Sequence, residues 1–274
     1  MNRSAIRKTV VGVMLASFAL GASAHRAWML PSATFVEHEE PWVTIDGAVS
    51  EAMFYLDHVP LRMDGATVTD PDGKVAPAPT PVVSKRRTSF DLKMPKDGTY
   101  RISLVNNNVM ATYKLNGETK RYRGPEANLA KELPAGAQDV STTTTHQRVE
   151  TFVTANETST GALKPSNSGL EMVPLTHPND LRTGETARWR FQLDGKPLPN
   201  FPFSLVPGGV RYRGTAGEIR LVTDAKGEAT VTLPAANVYW LSAAYPANLP
   251  KGPSTAPGNT RRYSYAATIE VLPE

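Results

Sequence analysis

Histidines are the residues in this chain best suited to do chemistry. There are five in 274 residues, and no cysteine. Thiolate metal sites and cysteine nucleophiles are therefore excluded, and any metal must be held by histidine, carboxylate, methionine or main-chain groups. The most suggestive is His25, which follows Gly21-Ala22-Ser23-Ala24. Cleavage after Ala24 would leave His25 first, with an α-amine and an imidazole on one residue able to close a chelate ring. An α-amine titrates at about 7.7–8.0, so a metal can displace its proton near neutral pH. Nitrogen donors of this kind suit Cu, Ni, Co and Zn better than Mg or Ca.

Two further histidines are candidate ligands. His58 lies in Met53-Phe54-Tyr55-Leu56-Asp57-His58-Val59-Pro60, an aromatic stretch with a carboxylate next door. Strand alternation would point Asp57 and His58 to opposite faces, so the two are not expected to pair. His177 lies in the proline-bracketed loop Pro174-Leu175-Thr176-His177-Pro178-Asn179-Asp180, where a rigid loop can present a ligand. The competing reading of each is a hydrogen-bonded structural histidine. His38, among Glu37, Glu39 and Glu40, reads as a solvated turn, and His146 as the start of a strand. Met29, Met53, Met63 and Met172 read as core. No His-Glu-x-x-His, phosphate loop or Gly-x-Ser-x-Gly is present, so no catalytic role is expected.

What precedes His25 explains why it would come first. Arg3, Arg7 and Lys8, the apolar run Val10 to Leu20 and the small residues up to Ala24 have the order of a secretory signal peptide, residues 1–24. The apolar run is shorter than the roughly 18 residues of a membrane span, so no transmembrane segment is expected after processing. The leader carries three of the 30 basic residues and none of the 26 acidic ones, so the mature chain is close to neutral. A nucleic-acid partner, which requires a clustered basic surface, is not expected.

The elements that must position these residues are strands. Pro and Gly number 23 and 20, and long helical patterns are absent. Short alternating runs close on turn signals such as Asp70-Pro71-Asp72-Gly73, Asn116-Gly117, Asp194-Gly195 and Asp224-Ala225-Lys226-Gly227. One short helix is expected over Pro125–Leu133, and a bulge or turn at Gly208-Gly209. A long loop is expected over Pro246–Arg262, with the last strand beginning near Ala266. The shift to Ser, Thr, Asn and Gly over Asn156–Gly169 sets a boundary there. The expectation is an all-β chain with two antiparallel β-sandwich domains: residues 25–160, bearing the mature N-terminal histidine, and residues 161–274, with about seven strands and an immunoglobulin-like shape. Trp28, three residues after His25, is expected to pin the mature N-terminus against the first domain.

The opening Ala24-His25-Arg26-Ala27-Trp28-Met29-Leu30-Pro31 resembles the Ala-His-x-x-Trp-x-x-Pro start of bacterial periplasmic proteins labelled nickel-uptake or cobalt-transport periplasmic components. The likeness continues at Phe54–Pro60, at Gly169–Leu181, at Leu193–Leu198 and at Thr223–Gly227, and so covers the mature chain in order. Many members have an acidic or aromatic pair where this chain has Arg26-Ala27, which would alter the site if an acid there orients the metal. The resemblance implies a periplasmic protein that assists uptake or delivery of nickel, cobalt or copper. His25 would be its metal-binding terminus, His58 and His177 candidate ligands, and an inner- or outer-membrane metal transporter its partner. The alternatives are a non-catalytic scaffold or adhesion module with structural histidines, and a copper oxidase with an N-terminal histidine.

Overall fold

A computed structural model describes residues 26–247 and 258–274, so His25 lies outside the described residues. The first half contains β1 (Arg26–Pro31), β2 (Phe35–Val36), β3 (Trp42–Ser50), β4 (Val59–Pro60), β5 (Thr67–Thr69), β6 (Val75–Pro77), β7 (Val82–Val83), β8 (Thr88–Lys93), β9 (Gly98–Leu115), β10 (Glu118–Pro125) and β11 (Gln138–Ala155). The second contains β12 (Leu170–Pro174), β13 (Thr186–Leu193), β14 (Lys196–Pro197), β15 (Pro202–Pro207), β16 (Ile219–Val222), β17 (Glu228–Thr232), β18 (Asn237–Tyr245) and β19 (Asn259–Val271). Among the described residues no helix is long and apolar enough to cross a membrane.

These strands build two sandwiches around one shared sheet. In the ten-stranded sheet the order is β16-β15-β18-β19-β11-β9-β5-β6, with β10 and β2 joining at β9 and β11. A sheet of β1-β3-β8-β7, with β4 on β3, packs against its β9–β11 half, and a sheet of β12-β13-β14, with β17 on β13, serves the other half. In the second sandwich, the first, second and fifth long strands thus oppose the third, fourth, sixth and seventh, an immunoglobulin-like arrangement. It carries the matching tyrosine corner: the Tyr239 hydroxyl, near the start of β18, donates to the Ala235 carbonyl at 2.8 Å. The first sandwich repeats the device four residues apart, with the Tyr100 hydroxyl donating to the Lys96 carbonyl at 2.9 Å.

The sandwiches meet through β11 and β19, which pair in parallel from Thr142↔Asn259 to Thr151↔Thr268. Successive strand residues point to opposite faces, and β11 uses both. Phe152 enters the second core with Trp189 and Phe191, while Val149 and Val153 enter the first with Ile45 and Ile102. On β19, Tyr265, Ala267 and Ile269 face the second core, and Ala266 the first. The two sandwiches therefore cover opposite faces of the common sheet. Burying side chains of this size stabilises the fold by about 1.5–3 kcal/mol each.

A third apolar cluster, Trp28, Ala48, Met53 and Val206, fills the seam where β1 crosses to the second sandwich. The Trp28 indole donates to Ser50 Oγ at 2.7 Å, and the Trp240 indole donates to the Ala27 carbonyl at 2.9 Å. The first strand of the described chain is thus pinned to both halves rather than to the first alone.

Several elements differ from expectation for identifiable reasons. Asn106–Asn108, poor strand formers, lie inside an unbroken 18-residue β9 because β11 pairs with them throughout. Ser141–Thr145 likewise belong to β11, held between β9 and β19. The last strand starts at Asn259, earlier than composition suggested, because its first residues pair with Thr142–Thr145 of β11 before β18 joins at Tyr263. The expected helix is a 3₁₀ turn, Glu126–Asn128, running into α1 (Leu129–Glu132). Gly208-Gly209 leads into a second helical turn, α2 (Val210–Arg213), with Gly209 and Gly214 left-handed at its ends. At the segment expected as a boundary, Gly161 is required by contact: a Cβ there would sit 1.9 Å from the Pro71 carbonyl oxygen.

Candidate functional site

The described chain begins at one corner of the β1-β3-β4 sheet. Arg26 pairs with Ser50, and on the far side of β3, Val59 pairs with Val49. His58, immediately before Val59, therefore lies about two strand spacings, roughly 10 Å, from the Arg26 backbone. Its loop is fixed from beneath. The Asp57 carboxylate accepts from the Glu51 and Ala52 amides at 3.1 and 2.9 Å, and the Arg86 guanidinium donates to the Asp57 and His58 carbonyls at 2.6 and 3.0 Å. The Asp57 carboxylate thus holds the backbone of residues 51 and 52; residues 57 and 58 form a bend before β4 rather than part of a strand, so the expected alternation does not set their directions. The His58 side chain is at the surface.

His177 is elsewhere and differently held. Its Nδ1 accepts from the Asn179 amide at 3.2 Å, which leaves Nε2 to carry the proton toward the Ser159 carbonyl, 3.2 Å away, beside Thr99 Oγ1 at 2.9 Å. Thr99 pairs with Thr154 on β11, whereas Arg26 shares a groove with Arg148. Six residues of strand separate those levels, about 20 Å. The structure thus places His58 near the chain start and His177 far from it. His38 is an exposed turn residue whose Nδ1 accepts from the Glu40 amide. His146 stacks on Tyr263 with ring centroids 4.9 Å apart. Among the described residues, no three His, Asp or Glu side chains converge as a metal site.

Burial pushes the His177 imidazole below its ordinary pKa, against opposing contributions from the Ser159 carbonyl and Asp180. The unfolded chain then takes up this proton first as pH falls. Stability is accordingly full above the ordinary histidine pKa of about 6.5 and declines below it, until the folded pKa is passed. Thermal unfolding followed from pH 7.5 to 5 is expected to show that decline, and His177→Gln to flatten it.

Beside the Arg26 corner lies a groove of about 1020 Å³ on the second sandwich's uncovered sheet face. Ser204, Ser242 and Ser264 form part of its floor, and Arg26, Trp240 and Glu218 its walls. The Arg26 guanidinium sits 5.6 Å from the Trp240 ring centre. Partial burial works to raise the Glu218 carboxyl, but hydrogen bonds from Ser204 and Arg220 outweigh it and hold the group below the usual carboxylate range. Sequence reading missed this groove, because its serines are distant in the chain and align only through strand register.

Fold and site together define two β-sandwiches fused through one sheet, the second immunoglobulin-like, with the start of the described chain at the seam. Residues 22–247 match the family described as "Domain of unknown function (DUF4198)", and the chain belongs to that family. No curated protein matches. Among solved structures, the chain is similar to the D0-D1 domain of intimin at 11% identity, with 89% of this chain and 97% of that one covered and a TM-score of 0.24. It is also similar to trypsin-activated alpha-2-macroglobulin from Escherichia coli at 12% identity, with 89% of this chain and 16% of that one covered and a TM-score of 0.23.

Proposed function

We propose that this chain is an exported, periplasmic, non-enzymatic protein that binds nickel, cobalt or copper at its processed N-terminus and assists the metal's uptake or delivery to a membrane transporter. The His25 amine and imidazole would chelate the metal, and His58 would supply a further nitrogen. The observation that carries this reading is the position of His58 two strands from Arg26, on a loop fixed by Asp57 and Arg86. The ring of His177 is bonded within the protein, to Thr99, Ser159 and Asn179. Residues 248–257, also outside the described set, include no histidine or acid, so a site of three such ligands would draw on His25. Trp28 and Trp240 pin β1, the strand that begins at Arg26, to both halves.

Chelation by a free α-amine must release its proton, since that group is largely protonated at pH 7. Titration of the processed chain with Ni²⁺, Co²⁺ or Cu²⁺ in two buffers of different ionisation enthalpy is expected to show one-to-one binding with release of about one proton. Binding without proton release would exclude the amine. The bonded ring of His177 favours the second reading, a rigid scaffold with structural histidines, and absence of binding would select it.

A further inference from the structure

Beyond the sandwiches, the outer halves of β9, β10 and β11 continue as a sheet whose two faces are unlike. One face is covered by the Glu126–Glu132 turn: Val109, Ala111 and Thr144 are at most 6% exposed. Among the described residues the other face has no sheet or helix against it, and strand register shows what it presents. Arg123, Met110, Thr143 and Thr260 form one row, and Arg121, Thr112 and Ser141 the next. A third row aligns Asn108, Thr145 and Arg262. No Asp or Glu occupies these register positions. Lys114, at the tip, is paired with Asp139 at 2.8 Å. Arg121 and Arg123 are exposed and have no hydrogen-bond or ion-pair partner among the described residues.

We infer that this face is a binding surface for an anionic polysaccharide, carrying carboxylate or sulfate groups. Arg121 and Arg123 are alternate residues of one strand, about 7 Å apart, and present two guanidinium forks in line. Between and beside them lie hydroxyls and amides suited to sugar hydroxyls. The composition argues against other partners. A protein interface would need a buried apolar or aromatic core, and a membrane surface an apolar face to insert. Single-stranded nucleic acid would need aromatic stacking platforms. Met110 is the one apolar side chain in the two arginine rows. With 27 basic and 26 acidic residues in the chain from His25 onward, net charge gives the mature protein no reason to bind a polyanion; segregation of charge onto this face does.

The test is retention of the processed full-length chain on immobilised heparin and polygalacturonate, with neutral dextran as reference, across a salt gradient. Both anionic matrices are expected to retain it and dextran not. Arg121→Glu/Arg123→Glu is expected to reduce the slope of log affinity against log salt by about two, one for each lost contact. Lys85→Glu/Lys226→Glu, with the same charge change elsewhere, should leave that slope unchanged. If the reversal variant fails to fold, Arg121→Gln/Arg123→Gln carries the same test. Equal retention of the wild type and the arginine variants, equal loss in the lysine control, or no retention on either anionic matrix would each overturn the assignment.

Discussion

Glu150→Ala is expected to cost about 3–5 kcal/mol, the range for removing one partner from a buried ion pair. Glu150 is 1% exposed, at the centre of the shared sheet. Its carboxylate accepts from Ser103 Oγ on β9 at 2.7 Å, from Arg148 Nη1 on its own strand at 3.1 Å, and from the Tyr265 hydroxyl on β19 at 2.9 Å. Arg101 Nε is 3.9 Å away. Truncation would strand the Arg148 charge, which keeps only its bonds to Ser166 Oγ and the Ser168 carbonyl, and would leave the Tyr265 hydroxyl without its acceptor. The existing network shows in the titration of its members. Burial first, and then the Glu150 charge and hydrogen bond, push the Tyr265 phenol well above its ordinary pKa. The Glu150 carboxylate likewise raises Arg148 against the cost of its burial. Total stability of a domain is about 5–15 kcal/mol, so this one change should be visible as a large drop in urea midpoint. Arg148→Met/Glu150→Leu, which removes both charges, should recover most of the loss. A cost under about 1 kcal/mol for Glu150→Ala would show that the seam does not hold the sandwiches together.

The second large effect is on metal affinity. His58→Ala is expected to weaken nickel, cobalt or copper binding by about 10–100-fold, a range taken from loss of supporting groups around metal ligands. Stability should stay within about 0.5 kcal/mol of wild type, because the side chain is exposed. His177→Ala should do the reverse. It empties a half-buried position and removes the partner of Thr99 and Asn179, lowering stability while leaving metal affinity unchanged. Calorimetric titration and thermal melts of both variants separate the two roles. Loss of metal binding in His177→Ala with retention in His58→Ala would contradict the assignment of the ligands.

The strands were largely legible in the sequence because their signals are local. Thr99–Val105 and Arg148–Val153 alternate between faces, and pairs such as Asn116-Gly117 end strands wherever they occur. What escaped depends on partners remote in the chain. Ser141–Thr145 and Asn259–Arg262 lack the apolar alternation that marks a strand; each is extended with the other beside it in parallel. The same holds for the candidate site. The chemistry of an N-terminal histidine can be read from Ala24-His25, whereas the role of Asp57, which accepts from the Glu51 and Ala52 amides out of a bend, is not visible in the sequence. The separation of His177 from His58 is invisible until β11 sets the levels of Thr99 and Arg148. The groove serines and the Arg121–Arg123 face are likewise products of register.

The most direct measurement is metal titration of the processed chain beginning at His25, beside a chain extended by one glycine before it. The extension keeps the His25 side chain but turns its amine into an amide, whose nitrogen can close the ring only by losing a far less acidic proton. One-to-one binding in the processed chain, weakened by about 100-fold or more in the extended chain, is the predicted result. Equal affinity in the two forms would contradict an N-terminal chelate.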